Sequence, residues 1–232
     1  SFERRLDFIR SYLERDVPMF APRMPSIRLR RLWTMIAHQQ GGLLNTSQLA
    51  RSLEVSAPAV SRYIDLLNDL LLIRQLPPFH ANTKKRLVKS PKTYIRDSGL
   101  CHALLGIETI DDLLAYPNNG DTWEGFVVEN ILATTNPRTL ASFYRTQRGS
   151  EMDLVLEFGV KGTWAIEIKR GQTPALKRGF YEAIEDIQPD KTFVVYSGEH
   201  RYPKGENVEV ISLPELTKEL HLFGPAGLSE IV

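Results

Sequence analysis

The stretches Glu151-Met152-Asp153-Leu154-Val155-Leu156-Glu157 and Trp164-Ala165-Ile166-Glu167-Ile168-Lys169 decide how the second half of the chain reads. Both are short apolar runs broken by charge, the pattern of strands. In a strand, side chains two apart face the same side. Glu167 and Lys169 therefore point together, while Ile166 and Ile168 face a core. If the strand of Asp153 pairs with this one, Asp153 can join them. Two carboxylates suit Mg²⁺ (or Mn²⁺), a hard cation that prefers oxygen ligands. Such an ion lowers the pKa of bound water and stabilises charge on a scissile phosphate. A lysine beside it orients the water or neutralises the developing charge. The same alternation also suits plain solvent-side charges on a half-exposed sheet.

Further strands are expected at Ser142–Arg145, Thr192–Tyr196 and Val208–Ile211, with helices over 175–187 and around Glu215–Leu220. Strands alternating with helices predict an α/β domain. Before it, Pro117-Asn118-Asn119-Gly120-Asp121 reads as a turn and Trp123–Ala133 as a helix. That helix carries Glu124 and Glu129, which do not share one face. Glu124, following Trp123 and preceding Phe126, is the preferred helical carboxylate for the site.

The N-terminal part is helical in pattern. Phe2, Leu6, Ile9 and Leu13 have helical spacing, and Pro18, Pro22 and Pro25 then suggest a linker. Ile27, Leu29, Leu32, Trp33 and Ile36 mark a second helix ending at Gly41-Gly42. Asn45 or Thr46 can cap a short helix with Leu49, Ala50 and Leu53 on its apolar face. Ser56 is a good cap for the next helix, Pro58 fits its first turn, and Val60, Ile64, Leu67 and Leu71 form one face. Two such helices joined by a tight turn read as helix-turn-helix. Leu72-Ile73-Arg74 and Thr93-Tyr94-Ile95 then suggest a hairpin, which would be a wing. In this arrangement the start of the second helix enters the major groove. Ser56, Ser61 and Arg62 would contact DNA there, Arg62 most strongly, and Lys84, Lys85, Arg86 and Lys89 of the wing would contact the backbone. Winged helices also dock on proteins, and a lysine-arginine run is also an ordinary solvated face.

The bulk composition narrows the field. The 232 residues are 42% hydrophobic and 25% charged with a net charge of +1, so a globular protein is expected and any DNA contact must be local. One cysteine, Cys101, excludes an intrachain disulfide and suits a reducing cytoplasm; its apolar surroundings suggest a buried thiol. No apolar run is long enough for a membrane span. The start at Ser1, without Met, is expected of a piece of a longer protein. The five histidines have no ligand spacing. Arg145, Arg148 and Arg170 lie near the carboxylates in sequence and suit phosphate contact or the open surface equally.

Glu124, Asp153 and Glu167-Ile168-Lys169 together resemble the PD-(D/E)XK nuclease superfamily, the restriction-endonuclease-like fold, with Met152 in place of the proline that often precedes its aspartate. The whole chain also resembles a prokaryotic family of AAA-type ATPases whose C-terminal region is the domain called DUF4143. That likeness rests on Ser11-Tyr12-Leu13-Glu14-Arg15-Asp16, Ser61-Arg62-Tyr63-Ile64-Asp65-Leu66-Leu67, Leu76-Pro77-Pro78, the run Lys85 to Lys92, Asp97-Ser98-Gly99-Leu100, Tyr144-Arg145-Thr146, and the two strands quoted first. It implies an ATPase domain ahead of this chain, since no G-x-x-x-x-G-K-[ST] run, and so no ATP site, occurs here.

The resulting expectation is an α+β chain: a helical lead-in at 1–26, a winged helix-turn-helix at 27–96, and a nuclease-like mixed sheet flanked by helices at 97–232. The function implied is DNA binding with Mg²⁺-dependent phosphodiester hydrolysis. Asp153, Glu167 and Glu124 would hold the metal, with Lys169 beside the attacking water. The alternative is a non-catalytic regulatory module that binds DNA, a protein partner or another copy of itself.

Overall fold

The structure is a computed structural model that describes residues 1–21, 24–80 and 85–223. It is a mixed α+β chain that divides into two compact units, Ser1–Gln75 with Ser90–Gly125, and Leu76–Lys89 with Phe126–Val232.

The first unit begins with α1 (Phe2–Ser11), a wide π-type turn (Tyr12–Asp16) and α2 (Val17–Phe20). Pro18 does not break the chain as expected: it follows directly on the π-type turn, and the helical run continues through it from α1 to the end of α2. Pro22 lies outside the described residues. Then come α3 (Ser26–His38), β1 (Gly42–Leu43), α4 (Thr46–Leu53), α5 (Ala57–Asp69), β2 (Ile73–Leu76), β3 (Lys92–Ile95), α6 (Ser98–Leu104) and α7 (Ile110–Ala115). The core gathers Ile9, Leu13, Leu32, Trp33, Leu49, Val60, Ile64, Leu67 and Cys101. Asn45 is the cap of α4, its side chain accepting from the Gln48 N–H at 3.0 Å. Ser56 stands at the start of α5, but its hydroxyl makes no capping bond. Two expected core residues are instead exposed. Ile27 is in the first turn of α3, ahead of the buried face, and Leu71 follows the end of α5 at φ +57°, which turns it outward and lets Leu72 take the buried place.

The three strands of this unit form a small sheet in the order β1-β3-β2, so Ile73–Leu76 and Lys92–Ile95 are neighbours. The connection between them departs from a free wing. Its residues Leu76–Lys89 belong to the second unit. There the Phe79 N–H donates to the Phe143 carbonyl, the Phe143 N–H to Pro77, the Val88 N–H to Arg145 and the Gln147 N–H to Arg86. An edge strand presents unpaired backbone groups, and this connection satisfies those of the second unit's edge.

The second unit is built on a six-stranded sheet. After α8 (Asn119–Thr134), whose last part belongs to this unit, come β4 (Leu140–Arg145), β5 (Glu151–Glu157), β6 (Thr163–Ile168), α9 (Arg178–Ile187), β7 (Lys191–Tyr196), β8 (Tyr202–Pro203), β9 (Val208–Ser212) and α10 (Leu213–Phe223). The order is β4-β5-β6-β7-β9-β8. β4, β5 and β6 pair antiparallel; β6, β7 and β9 run parallel; β8 closes the far edge antiparallel. Phe180, Ala183 and Ile187 of α9 cover one face with Val155, Ala165 and Val194. On the other face the rings of Trp164 and Phe223 lie 4.6 Å apart. Burial on both faces explains why these strands are almost continuously apolar, and why a charge inside one is conspicuous.

Candidate metal centre

The pairing of β5 with β6 sets Leu154 opposite Ile166 and Val155 opposite Ala165. That pairing ends at Leu154 and Ile166, and the register of β5 against β4 shifts between Met152 and Val155, so Asp153 stands at an irregular point of the strand. Asp153 and Glu167 lie where β5 begins and β6 ends, near enough for the charge of one to act on the other. Both residues are buried, at 6% and 8% exposure. The Ile168 N–H donates to Asp153 Oδ2 at 2.9 Å. Glu167 Oε1 meets the Lys169 ammonium, which leaves the strand end beside it. Glu167 Oε2 is buried and has no hydrogen-bond partner.

The electrostatics follow from this geometry. Burial and then the charge of Asp153 push the Glu167 carboxyl up to about 8, Glu151 adding to the effect and Lys169 opposing it. Burial disfavours the charged form, and a like charge close by disfavours it again. One ammonium cannot balance two buried carboxylates with a third acid in range. Once the Glu167 carboxyl gives up its proton, the centre has surplus negative charge and an oxygen lacking a partner, which suits a small divalent cation. Asp153 and Glu167 are the groups that would hold it. Among the described residues no set of three or more His, Cys, Asp or Glu side chains is placed to hold a metal ion, so the remaining ligands would be backbone carbonyl, water or substrate oxygens.

Asp153, Glu167 and Lys169 are therefore brought together. Glu124 has partners in the first unit: its Oε1 accepts from the Tyr94 hydroxyl at 2.6 Å and from the Lys92 ammonium at 2.9 Å. Lys92 is almost wholly buried, with 3% side-chain exposure, and a buried ammonium needs such a carboxylate. Glu151 was not among the sequence-derived site residues. It opens β5 two positions before Asp153, and its carboxylate is 3.7 Å from Arg145.

The expected DNA-contacting residues separate into two groups. Ser56 and Arg62 are exposed at the start of α5, while the Ser61 hydroxyl donates back to the Ala57 carbonyl at 3.3 Å. Lys85, Arg86 and Lys89 lie in the second unit, where Lys85 pairs with Asp186 at 2.7 Å. Lys84 lies outside the described residues.

Comparison with known proteins adds family descriptions. Residues 1–111 match "Domain of unknown function (DUF8612)" and residues 119–216 match "Domain of unknown function (DUF4143)". DUF4143 domains are usually found alongside AAA-type ATPase domains. The DUF4143 match covers the second part of the chain and the DUF8612 match the first. Uncharacterized protein Mb2031c of Mycobacterium bovis and uncharacterized protein Rv2008c of Mycobacterium tuberculosis are each 42% identical over 212 residues, which is 90% of this chain and 47% of theirs. The chain spans about half the length of these curated relatives. No solved structure matches it. Among the described residues, no helix is long and apolar enough to cross a membrane.

Proposed function

We propose that this chain is the nucleic-acid-handling part of an AAA-type ATPase, with a helix-turn-helix that docks on DNA and a restriction-endonuclease-like unit that hydrolyses a phosphodiester bond with Mg²⁺ or Mn²⁺. The observation that carries the reading is the buried pair Asp153 and Glu167, with Glu167 Oε2 lacking a partner and Lys169 against the other oxygen. The bound cation would supply an activated water and charge stabilisation at the phosphate. Asp153 is held by the Ile168 N–H, which fixes its carboxylate at the strand boundary. Lys169 balances part of the charge and stands where it can orient a water or receive developing negative charge. The order of strands and helices from α8 to β7, with an antiparallel β4-β5-β6 and a parallel step through α9, supports the fold reading. For DNA docking by the first unit, support comes from the exposed start of α5, with Arg62 as its principal contact.

A second reading is a non-catalytic DNA- or protein-binding regulatory module. It is favoured by the lack, among the described residues, of a third metal-binding side chain beside Asp153 and Glu167. Cleavage of supercoiled, linear and single-stranded DNA with Mg²⁺ or Mn²⁺ separates the two. Metal-dependent cutting by the wild type, lost in Asp153→Ala and Lys169→Ala, is expected; cutting equal in all three proteins sinks the assignment of the site. Salt-sensitive DNA binding with no cutting at all selects the regulatory reading.

A further inference from the structure

A basic cleft in the second unit lies at the same end of the sheet as the carboxylate pair, and no proposed step has used it. It is built from the hairpin between β4 and β5 and the first turns of α9. The hairpin closes through the Thr146 N–H on the Ser150 carbonyl and the Ser150 N–H on Thr146 Oγ1, at 2.9 and 3.1 Å. α9 comes unusually near it. A Cβ on Gly179 would stand 2.9 Å from the Gly149 carbonyl oxygen and 3.2 Å from Ser150 Cα, both backbone atoms, so a larger residue would force the two elements apart.

The cleft between them has a volume of about 760 Å³ and is lined by Lys85, Arg148, Ser150, Arg178 and Tyr181 with Glu182 and Glu185. A second cavity, of about 510 Å³, shares Lys85 and Arg148 and adds Arg86. Lys85, Arg86, Arg148 and Arg178 line the two cavities; Lys85 is paired with Asp186 and Arg178 with Glu182, each at 2.7 Å, which leaves Arg86 and Arg148. Glu182 is already engaged, accepting from the Ser150 hydroxyl and from Arg178, each at 2.7 Å. Arg86 and Arg148 are exposed and have no ion-pair partner among the described residues. Tyr181 is 46% exposed and offers a ring face. Ser150 precedes Asp153 by three residues on an extended chain, about 10 Å at the usual rise per residue.

The geometry points to this cleft as the groove in which the second unit holds the sugar–phosphate backbone of a nucleic-acid strand, with Arg86 and Arg148 as phosphate contacts and Tyr181 as a stacking face. The choice of a nucleic acid as the anion rests on the nuclease reading of the neighbouring carboxylates. Unpaired guanidinium groups bind phosphate oxygens bidentately, and an exposed ring beside cations is the pairing that holds single strands. The basic residues between β2 and β3 thereby keep the partner class the sequence suggested, but act from the second unit and not from a wing.

The test uses the whole chain without divalent metal. Fluorescence anisotropy follows a labelled single-stranded oligonucleotide and its duplex across a salt series, for the wild type, Arg86→Ala/Arg148→Ala, Tyr181→Leu and Arg62→Ala. Mn²⁺ uptake is measured on the same proteins by calorimetry. The double variant should bind at least one of the two probes about tenfold more weakly at low salt, and its slope of log Kd against log salt should be shallower by about 1.5–2. Tyr181→Leu should weaken single-strand binding with the slope kept. Mn²⁺ uptake should be unchanged in all of them. Wild-type affinity and slope in the double variant overturn the cleft, as does preferential capture of polyglutamate over either oligonucleotide. Loss of DNA binding in the double variant, in a protein that takes up no Mn²⁺, supports the cleft while removing the nuclease reading beside it.

Discussion

Glu167 keeps one buried carboxylate oxygen without a partner while Lys169 holds the other, and this has a consequence for stability. Burial and Asp153 raise its carboxyl from 4.5 to about 8. Between those values the folded chain binds more proton than the unfolded one, so stability falls as pH rises through the window and levels off above it. Urea midpoints at pH 5 and pH 8.5 should therefore show a larger drop for the metal-free wild type than for Glu167→Gln; equal drops would contradict the raised carboxyl. Cys101 behaves oppositely to a reactive thiol. Burial, with the charge of Asp97, pushes it up to about 12. A disulfide reagent at pH 8 should label it at least about a hundredfold more slowly in the native protein than in urea, since only the thiolate attacks; native labelling at the denatured rate would refute this. The proximity of Asp153, Glu167 and Lys169 was legible because a charge is rare within or at the end of a doubly buried strand. The surroundings of Glu124 were not, because Lys92 and Tyr94 come from a strand distant in sequence.

Elements read well where pattern alone decides them. The apolar runs of β4, β5, β6, β7 and β9 lie almost where their alternation placed them. Errors fell at element ends, where backbone geometry overrides pattern: Leu71 at positive φ and Pro18 directly after the π-type turn. The connection from β2 to β3 failed as a free wing because its backbone bonds are made to β4, a pairing between segments far apart in sequence. Within the first unit, Gln40 is another such long-range tie. Its side-chain oxygen accepts from the Ile95 N–H at 2.7 Å and its amide donates to the Ile95 carbonyl at 3.3 Å. Gln40→Ala should cost about 2 kcal/mol by leaving buried backbone groups unsatisfied. Thermal unfolding would read this as a lowered midpoint, and an unchanged midpoint would show that β3 does not depend on the amide. Gly125→Ala should move in the same direction, since its Cβ would lie 2.2 Å from the Gln40 amide nitrogen.

On the scale of the whole molecule, the chain divides into two compact units whose boundary differs from the cut at 96/97 read from the sequence. α6 contributes Cys101 and Ala103 to the same core as α1 and α3, and the β2–β3 connection goes to the other unit. A chain that crosses between units three times cannot be divided at a single residue, and sequence patterns carry no signal for such returns. The central claim is that Asp153 and Glu167 form a divalent-metal centre. Calorimetric titration of Mn²⁺ into the wild type and into Asp153→Asn/Glu167→Gln tests it most directly. One Mn²⁺ should bind per wild-type chain, more tightly as pH rises through about 8 and the Glu167 carboxyl gives up its proton, and none should bind the double variant. Equal uptake by both proteins, or no uptake by the wild type, would contradict it.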